Sequence, residues 1–355
     1  MPFWKDRQVL VTGGAGFIGT NLVERLLQEE ARVRVVDSLD RTGPENIAAF
    51  RGSIEFRERD LGDRESCLEA CRGVEMVFHL AAVAGSSDHY RRYPAEVMIQ
   101  NVLIDAHMLE AARRSGVQRY FYMSSVFVYP EGLQRGPNPP PLREEDALPA
   151  SPPLSYGWAK LVGEKALEYA VSEGPALKGA IFRLANAYGP YQDVDQDRGA
   201  VIPVLIGRAI EYPRSGPFTI RGSGEESRSY CYVSDVVDAM LLAMERLDKH
   251  RLLGPLNIGS EESIRIIDLA REIVDISGKG MEIVCLPGPS AVWDQAIDCA
   301  KARQLLDGWR PGVSLREGIG RTYAYVGGKL KGRQTLSPSG WGGEDVRAGT
   351  GSPKD

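Results

Sequence analysis

The chain has 355 residues and a formal net charge of -5, which gives no electrostatic reason to expect nucleic acid or an anionic membrane as a partner. Its five cysteines form no CxxC pair and its four histidines are scattered singly, so neither a metal site nor a disulfide framework is expected. The sequence has no apolar region of a signal peptide and no apolar run of about 18 residues, so we expect a cytoplasmic protein without a membrane-spanning segment.

The first half of the chain alternates short apolar runs with amphipathic segments of helix length. Gln8–Thr12 and Arg32–Val36 are predicted strands, with a helix from about Phe17 to Glu29 between them. Because apolar strands joined by helical crossovers form parallel sheets covered on both faces, the pattern predicts a doubly wound α/β fold. Further strands are predicted at Ile54–Glu58, Met76–Leu80, Tyr120–Met123 and Gly179–Leu184, and further helices at Pro94–Ser115 and Ser155–Val171.

The remainder of the chain mixes short strands, loops and helices, which indicates a smaller C-terminal lobe of mixed α/β structure. We expect a first domain over residues 1–185, which also receives part of 225–260, and the smaller lobe over 186–326. From 327 to 355 the sequence is rich in glycine, serine and charge and has no periodicity, so a disordered tail is predicted there.

A glycine-rich loop follows the first strand and opens a helix. Gly13, Gly16 and Gly19 have the spacing GxxGxxG. The first glycine permits a tight turn, the second lets the backbone approach a pyrophosphate, and the third lets the helix pack on the strand. The first helical residues, Phe17 and Ile18, belong to a helix N-terminus that offers free N–H groups to phosphates. The loop therefore predicts a dinucleotide site.

Residues at the ends of the next strands extend this site. Asp37 ends the second strand, where a carboxylate can accept both ribose hydroxyls of an adenosine and would repel a 2′-phosphate, so NAD is favoured over NADP. Asp60, with Leu61 after it, follows the third strand and can meet the adenine amino group, although such an aspartate also commonly caps a loop. After the fourth strand, residues that suit either close approach to a nicotinamide ribose or buried packing are Leu80, Ala81 and Ala82.

A second motif predicts proton transfer. Tyr156 and Lys160 are four residues apart on a predicted helix and therefore share one face. A free phenol has a pKa of about 10 and keeps its proton at neutral pH, but a neighbouring ammonium favours the phenolate. Ser124 and Ser125 close the preceding strand at the edge where ligands bind in such sheets. Ser125 is the better candidate for hydrogen-bonding the reacting oxygen, and a turn cap is the alternative.

Together these motifs resemble the extended short-chain dehydrogenases, a family of NAD-dependent nucleotide-sugar epimerases and dehydratases. The resemblance covers about residues 8 to 325 and includes the segment RLANAYGP that contains Asn186. It implies a Rossmann-type domain that binds NAD, with Tyr156 and Lys160 among the contacts, and a C-terminal lobe that binds a nucleotide-diphosphate sugar. It also implies that Asn186 and Arg228 contact the substrate, and that the protein is a homodimer.

The resemblance implies hydride chemistry at a sugar, and two positions narrow the reaction. Dehydratases of the family have Asp-Glu where this chain has Val126 and Phe127, so an acid and a base for eliminating water are missing. The stretch from Asn101 to Glu131 resembles GDP-mannose 3,5-epimerases, which have a cysteine in place of Phe127 and a lysine in the loop that corresponds to 193–201. This chain lacks both.

The chemistry that remains needs Ser125, Tyr156, Lys160 and NAD, and it predicts a nucleotide-sugar epimerase that inverts C4 through a transient 4-keto sugar. Three alternatives stay open. The first is an enzyme like the GDP-mannose 3,5-epimerases with different acid and base residues, for which His89 is a candidate. The others are a 4-keto-sugar reductase or decarboxylase and a non-catalytic NAD-binding regulator.

Overall fold

The computed structural model describes residues 2–134, 139–195, 199–287 and 294–335. Its largest element is a seven-stranded parallel sheet, in which the strands lie in the order 55–58, 32–37, 8–12, 76–79, 119–125, 178–184 and 252–258. The elements as far as the sixth strand are β1 (Gln8–Thr12), α1 (Phe17–Gln28), β2 (Arg32–Asp37), β3 (Glu55–Glu58), α2 (Arg64–Cys71), β4 (Met76–His79), α3 (Ser87–Arg92), α4 (Pro94–Arg114), β5 (Arg119–Ser125), α5 (Ser155–Ser172) and β6 (Lys178–Leu184).

The second half of the chain adds the last strand of this sheet and a smaller unit. A short sheet pairs strand 227–232 with strands 263–265, 294–295 and 186–188, and strand 218–221 pairs with strand 283–286. The elements are β7 (Asn186–Tyr188), α6 (Val201–Glu211), β8 (Phe218–Arg221), β9 (Ser227–Tyr232), α7 (Val233–Arg246), β10 (Leu252–Ile258), β11 (Ser263–Arg265), α8 (Ile266–Ser277), β12 (Ile283–Leu286), β13 (Asp294–Gln295), α9 (Ala300–Leu305) and α10 (Leu315–Thr335).

The large sheet has a separate hydrophobic core on each face, because successive side chains of a strand point in opposite directions. On β1, Val9 and Val11 belong to one core together with residues of α1 and α7. Leu10 belongs to the other core, with residues of α2 and α4. This arrangement explains why the strand is apolar throughout, and it confirms the predicted doubly wound α/β fold.

Strand and helix boundaries differ from the predicted ones by one or two residues, with one larger difference at the C-terminus. Helix α10 continues to Thr335, so residues 327–335 are helical where the sequence predicted the start of a disordered tail. The helix is anchored by Ile319 and Val326, which are buried in the core of the smaller unit, and this packing outweighs the low helix propensity of the glycines at 327 and 328. Residues 336–355 of that predicted tail lie outside the described residues. The predicted domain limits stay a prediction.

None of the described helices is both long enough and apolar enough to cross a membrane.

Candidate active site

Because the seven strands of the large sheet are parallel, their carboxyl ends all lie at the same edge. The chain runs outward from β1 through β2 and β3 on one side, and through β4, β5 and β6 on the other. This reversal of strand order leaves a crevice beyond the carboxyl ends of β1 and β4, which is where ligands bind in open α/β sheets. The glycine loop after β1 and the segment 80–82 after β4 lie at this edge.

The backbone of the glycine loop surrounds a cradle, a space that side chains at the glycine positions would fill. Gly13 has a φ of +66°, and a Cβ there would lie 2.9 Å from the backbone nitrogen of Ala81. A Cβ on Gly19 would lie 2.2 Å from the carbonyl oxygen of Gly13. Gly16 is the N-cap of α1 and has no side chain to cap it, so the N–H groups at Phe17 and Ile18 are left for an anion. The cradle therefore fits a dinucleotide pyrophosphate.

Asp37 holds this loop in place at the end of β2. Its carboxylate accepts hydrogen bonds from the backbone nitrogens of Ala15 (3.0 Å) and Leu39 (2.9 Å). Burial raises the pKa of Asp37, and the two N–H donors oppose that shift. Asp60 forms a loop cap, since its Oδ1 accepts from the backbone nitrogen of Gly62 at 2.8 Å, and its contact with an adenine stays a prediction.

Two asparagines that the sequence analysis missed connect the loop to the segment after β7. Asn46 donates to the carbonyl oxygens of Ala15 (3.1 Å) and Tyr191 (3.4 Å). Asn21 donates to the carbonyl oxygen of Pro190 at 3.1 Å. Asn46 lies between β2 and β3, so its contacts with the glycine loop and with Tyr191 depend on the fold. No local sequence motif predicts them.

The two serines at the end of β5 have different surroundings in the structure. Ser124 is buried, and its hydroxyl donates to Glu164 on α5 at 2.5 Å. Glu164 is in turn paired with Arg183 at 2.7 Å, so this hydroxyl belongs to a buried ionic network. Ser125 is half-buried and caps the short turn that follows, with its hydroxyl accepting from the nitrogen of Phe127. Of these two serines the geometry favours Ser125 as the substrate contact, and the predicted contact of Ser124 stays a prediction.

Tyr156 lies among aromatic rings at the start of α5. Its ring stacks on that of Tyr90 with 4.7 Å between centroids and 2° between planes, and Phe127 meets it edge-on at 6.2 Å. Gly157 makes this approach possible, because a Cβ there would lie 2.0 Å from the carbonyl oxygen of Phe127. Burial among these groups, followed by the charge of Asp105, raises the pKa of Tyr156 above its usual value, while Arg41 opposes the shift.

Lys160 lies one turn further along α5 and is buried to 2% exposure. Its Nζ is 5.8 Å from the ring centroid of Tyr156, so the predicted pair is brought together. The same Nζ is 3.6 Å from Oδ1 of Asp105, a buried residue of α4 that the sequence analysis missed. The sequence could have indicated this contact. Asp105 shares the buried face of α4 with Asn101, Ile104 and Met108, and a buried acid needs a partner.

The other two predicted substrate contacts lie on the neighbouring strands β7 and β9. Asn186 donates to the carbonyl oxygen of Ser229 at 3.1 Å, and Arg228 donates to the carbonyl oxygen of Ser227 at 2.7 Å. Because β7 begins two residues after the end of β6, Asn186 is placed near the edge where the serines of β5 end. His89 is on α3, with its ring 5.4 Å from that of Tyr93 and 6.1 Å from that of Tyr90.

Comparison with known proteins confirms the resemblance drawn from the sequence. The model of the NAD dependent epimerase/dehydratase family matches residues 9–259. GDP-mannose 3,5-epimerase of Arabidopsis thaliana is 30% identical over 326 residues, which are 91% of this chain and 84% of that protein. UDP-glucose 4-epimerase of Thermotoga maritima with UDP-glucose is 32% identical with a TM-score of 0.78, over 93% of this chain and 99% of that one.

The UDP-glucose 4-epimerase of Thermus thermophilus, solved as a complex with NAD, is 29% identical with a TM-score of 0.76 and covers 89% of this chain and 98% of that one. The family match extends from β1 through β10, so it includes the glycine loop, Asp37 and the Tyr156–Lys160 pair. The chain therefore belongs to the NAD-dependent epimerase/dehydratase family, and NAD is its cofactor.

Proposed function

We propose that this protein is a nucleotide-sugar epimerase that inverts C4 through a transient 4-keto sugar. The observation that carries the proposal is the setting of Tyr156. Its described ring neighbours are the aromatic side chains of Tyr90 and Phe127, and its charged neighbour along α5 is Lys160. This arrangement can move one proton at one sugar oxygen, which is what epimerisation at C4 requires.

Each residue has one task in this reaction. Tyr156 takes the proton of the C4 hydroxyl and later returns it, while Ser125 hydrogen-bonds the same oxygen. The Lys160 ammonium stabilises the phenolate of Tyr156, because an opposite charge at this range favours the ionised form. A bound NAD would supply the hydride acceptor and donor for C4, so that a hydride removed there could return to the opposite face of the sugar.

The cofactor contacts proposed here are the residues at the carboxyl edge of the sheet and at the start of α1 and α5. They are Gly13, Gly16, Phe17, Ile18, Gly19, Asp37, Asp60, Leu61, Leu80, Ala81, Ala82, Tyr156 and Lys160. For the nucleotide-diphosphate sugar, Asn186 and Arg228 are the proposed contacts, since an arginine is suited to a diphosphate.

The position of Phe127 argues against two other reactions of the family. Its ring stands edge-on to Tyr156, where a hydrocarbon cannot take or give a proton. Dehydration needs a carboxylic acid and base beside the tyrosine, and 3,5-epimerisation needs an acid and a base at C3 and C5. The likeness to UDP-glucose 4-epimerases of known structure agrees with inversion at C4.

The test is product analysis in deuterated water. The protein is incubated with UDP-, GDP-, dTDP- and CDP-sugars, and NMR identifies which carbon is inverted and whether it carries deuterium. Inversion at C4 without deuterium is expected, because hydride leaves and returns without exchanging with solvent. Deuterium at C3 or C5 indicates 3,5-epimerisation, and net change in NADH absorbance indicates a reductase or an oxidative decarboxylase. Absence of C4 inversion with every sugar would refute the proposal.

We also propose that the protein is a homodimer formed through α4 and α5. These helices pack side by side and expose apolar side chains at helical spacing. Val162 is 45% and Tyr169 is 68% exposed on α5, and Ile99 is 58% exposed on α4. Contiguous apolar surface on two adjacent helices fits a second copy of the same two helices related by a twofold axis.

A further inference from the structure

A buried carboxylate lies behind the catalytic pair. Asp105 is 6% exposed, and its Oδ1 is 3.6 Å from Nζ of Lys160. Gly163, three residues after Lys160 on α5, lets the carboxylate come this close. A Cβ at Gly163 would lie 2.9 Å from Oδ2 of Asp105 and 2.1 Å from the hydroxyl oxygen of Tyr122. The packing of α4 on α5 therefore depends on a glycine beside this ion pair.

Hydrogen bonds from the end of β1 fix the tautomer of His79. The hydroxyl oxygen of Thr12 accepts from the backbone nitrogens of Leu80 (3.1 Å) and Ala81 (3.2 Å), which uses both of its lone pairs. Its own proton therefore goes to Nδ1 of His79 at 2.9 Å. The proton of the neutral imidazole then resides on Nε2, which faces Asp105 at 3.0 Å. Burial lowers the pKa of His79, so the neutral form is the one expected.

These bonds hold Asp105 in one orientation as an anion. His79 donates to Oδ1 and the hydroxyl of Tyr122 donates to Oδ2. Burial acts to raise the pKa of Asp105, but Lys160, His79 and Tyr122 outweigh it and hold the pKa below its usual value. The carboxylate is thus fixed on one side by the strand ends under the glycine loop and on the other by the catalytic lysine.

The other titratable groups around Asp105 leave it as the counter-ion of Lys160. Burial raises the pKa of Tyr120 and Tyr122 well above the usual value, so both phenols are neutral. Glu164 is engaged by Arg183. The titratable groups of the elements packed around Asp105 include His79 on β4, Tyr120 and Tyr122 on β5, Cys67 and Cys71 on α2, Tyr90 on α3, and Tyr156, Lys160 and Glu164 on α5.

We propose that Asp105 is a positioning residue for the reaction, which fixes the Lys160 ammonium beside Tyr156 and sets the pH range in which this pair transfers protons. The inference rests on the proposed function in one respect, since it takes Tyr156 and Lys160 as the proton-transfer pair. Its physical basis is that a fixed negative charge makes every neighbouring acid release its proton at higher pH. Removing that charge must therefore move both limbs of the pH–activity profile in the same direction.

The first test is the pH dependence of kcat/KM in Asp105→Asn. The amide keeps the shape of the side chain and can still bond His79 and Tyr122, but it carries no charge. Both limbs of the profile are expected to move to lower pH by about one to three units, the usual effect of one charge at this range. Asp235→Asn is the matched control, because Asp235 is also buried and its Oδ2 accepts from the nitrogen of Val313 in another part of the fold. Limbs that stay in place, or move to higher pH, overturn the proposal.

A second test needs no substrate. Asp105→Asn leaves the Lys160 ammonium buried without its counter-ion, so its melting temperature is expected to fall. Adding Lys160→Met removes the unpaired charge, and the double variant is expected to recover stability relative to Asp105→Asn alone. Additive effects of the two substitutions overturn the proposed ion pair. This cycle is independent of the sugar: coupling without C4 inversion refutes the proposed function alone, and C4 inversion without coupling refutes the role of Asp105 alone.

Discussion

The ring of Tyr90 lies parallel to that of Tyr156, with 4.7 Å between their centroids and 2° between their planes. The Tyr90 hydroxyl accepts from the backbone nitrogen of Gly85 at 2.8 Å, so the covering ring is itself fixed at the start of α3. Such a ring excludes water from one face of the catalytic phenol. Burial of this kind disfavours the charged phenolate, and it is the largest cause of the raised pKa of Tyr156.

Tyr90→Ala is therefore expected to lower the pKa of Tyr156, because water that enters the space stabilises the phenolate. Tyr90→Phe keeps the stacked ring and is the matched control, with a pKa close to that of the original protein. The measurement is a pH titration by NMR of protein with 13C-labelled tyrosine, in which the Tyr156 signal is assigned by its loss in Tyr156→Phe. An unchanged or higher pKa in Tyr90→Ala would show that the stacked ring does not control hydration of the phenol.

The two serines of β5 are expected to respond differently to the same substitution. Ser125→Ala removes a hydrogen bond to the reacting oxygen and is expected to lower kcat by roughly tenfold or more, with little change in stability. Ser124→Ala removes a donor to the buried carboxylate of Glu164, and it is expected to lower the free energy of unfolding by about 1.5–3 kcal/mol, with kcat nearly kept. The measurements are kcat and the free energy of unfolding in denaturant, for both variants. A large loss of kcat in Ser124→Ala would make this serine a substrate contact after all.

The glycine loop gives a prediction that concerns cofactor binding alone. Gly19→Ala places a Cβ 2.2 Å from the carbonyl oxygen of Gly13, so the turn must shift away from α1 and the phosphate cradle is lost. We expect a large loss of NAD affinity, measured by titration of the apoprotein. Gly52→Ala is the control, because nothing lies within 4 Å of a Cβ at that loop position. Equal NAD affinity in both variants would show that the cradle is not the pyrophosphate site.

Much of this site follows from sequence because its parts are local. The glycine loop, Asp37 and the Tyr156–Lys160 pair each belong to one strand end or one helix turn, so their spacing along the chain fixes their relation in space. The contacts that could not be predicted from the sequence join elements that are distant along the chain. Asp105 reaches Lys160 from 55 positions away through the packing of α4 on α5, and that contact depends on the open space at Gly163.

The difference between Ser124 and Ser125 could not be predicted from the sequence for a related reason. Adjacent serines at a strand end look equivalent in sequence, but successive side chains of a strand point to opposite faces. The structure turns Ser124 to the face where Glu164 and Arg183 are buried, and nothing in the local motif distinguishes that face from the other. The helical end of α10 could not be predicted from its local sequence either. Its last turns have a composition that favours disorder, but buried residues earlier in the helix keep them helical.

The proposed homodimer gives a last prediction. Val162 lies on the exposed face of α5, between Trp158 and Tyr169, which are also apolar and exposed. Val162→Lys would bury an ammonium near its own symmetry mate on a twofold axis, and both desolvation and repulsion oppose this. Analytical ultracentrifugation is expected to show the original protein at twice the chain mass of 39.0 kDa and the variant at the mass of one chain.

Val201→Lys supplies the control, because Val201 is 42% exposed at the start of α6, away from the α4–α5 surface, and its substitution should leave the mass unchanged. If Val162→Lys sediments like the original protein, α5 is not at the centre of the interface. If both variants dissociate, the effect reflects added charge rather than position. A change confined to Val162→Lys assigns the interface to the two helices that also hold Asp105 and the catalytic pair, which places subunit contact directly behind the active site.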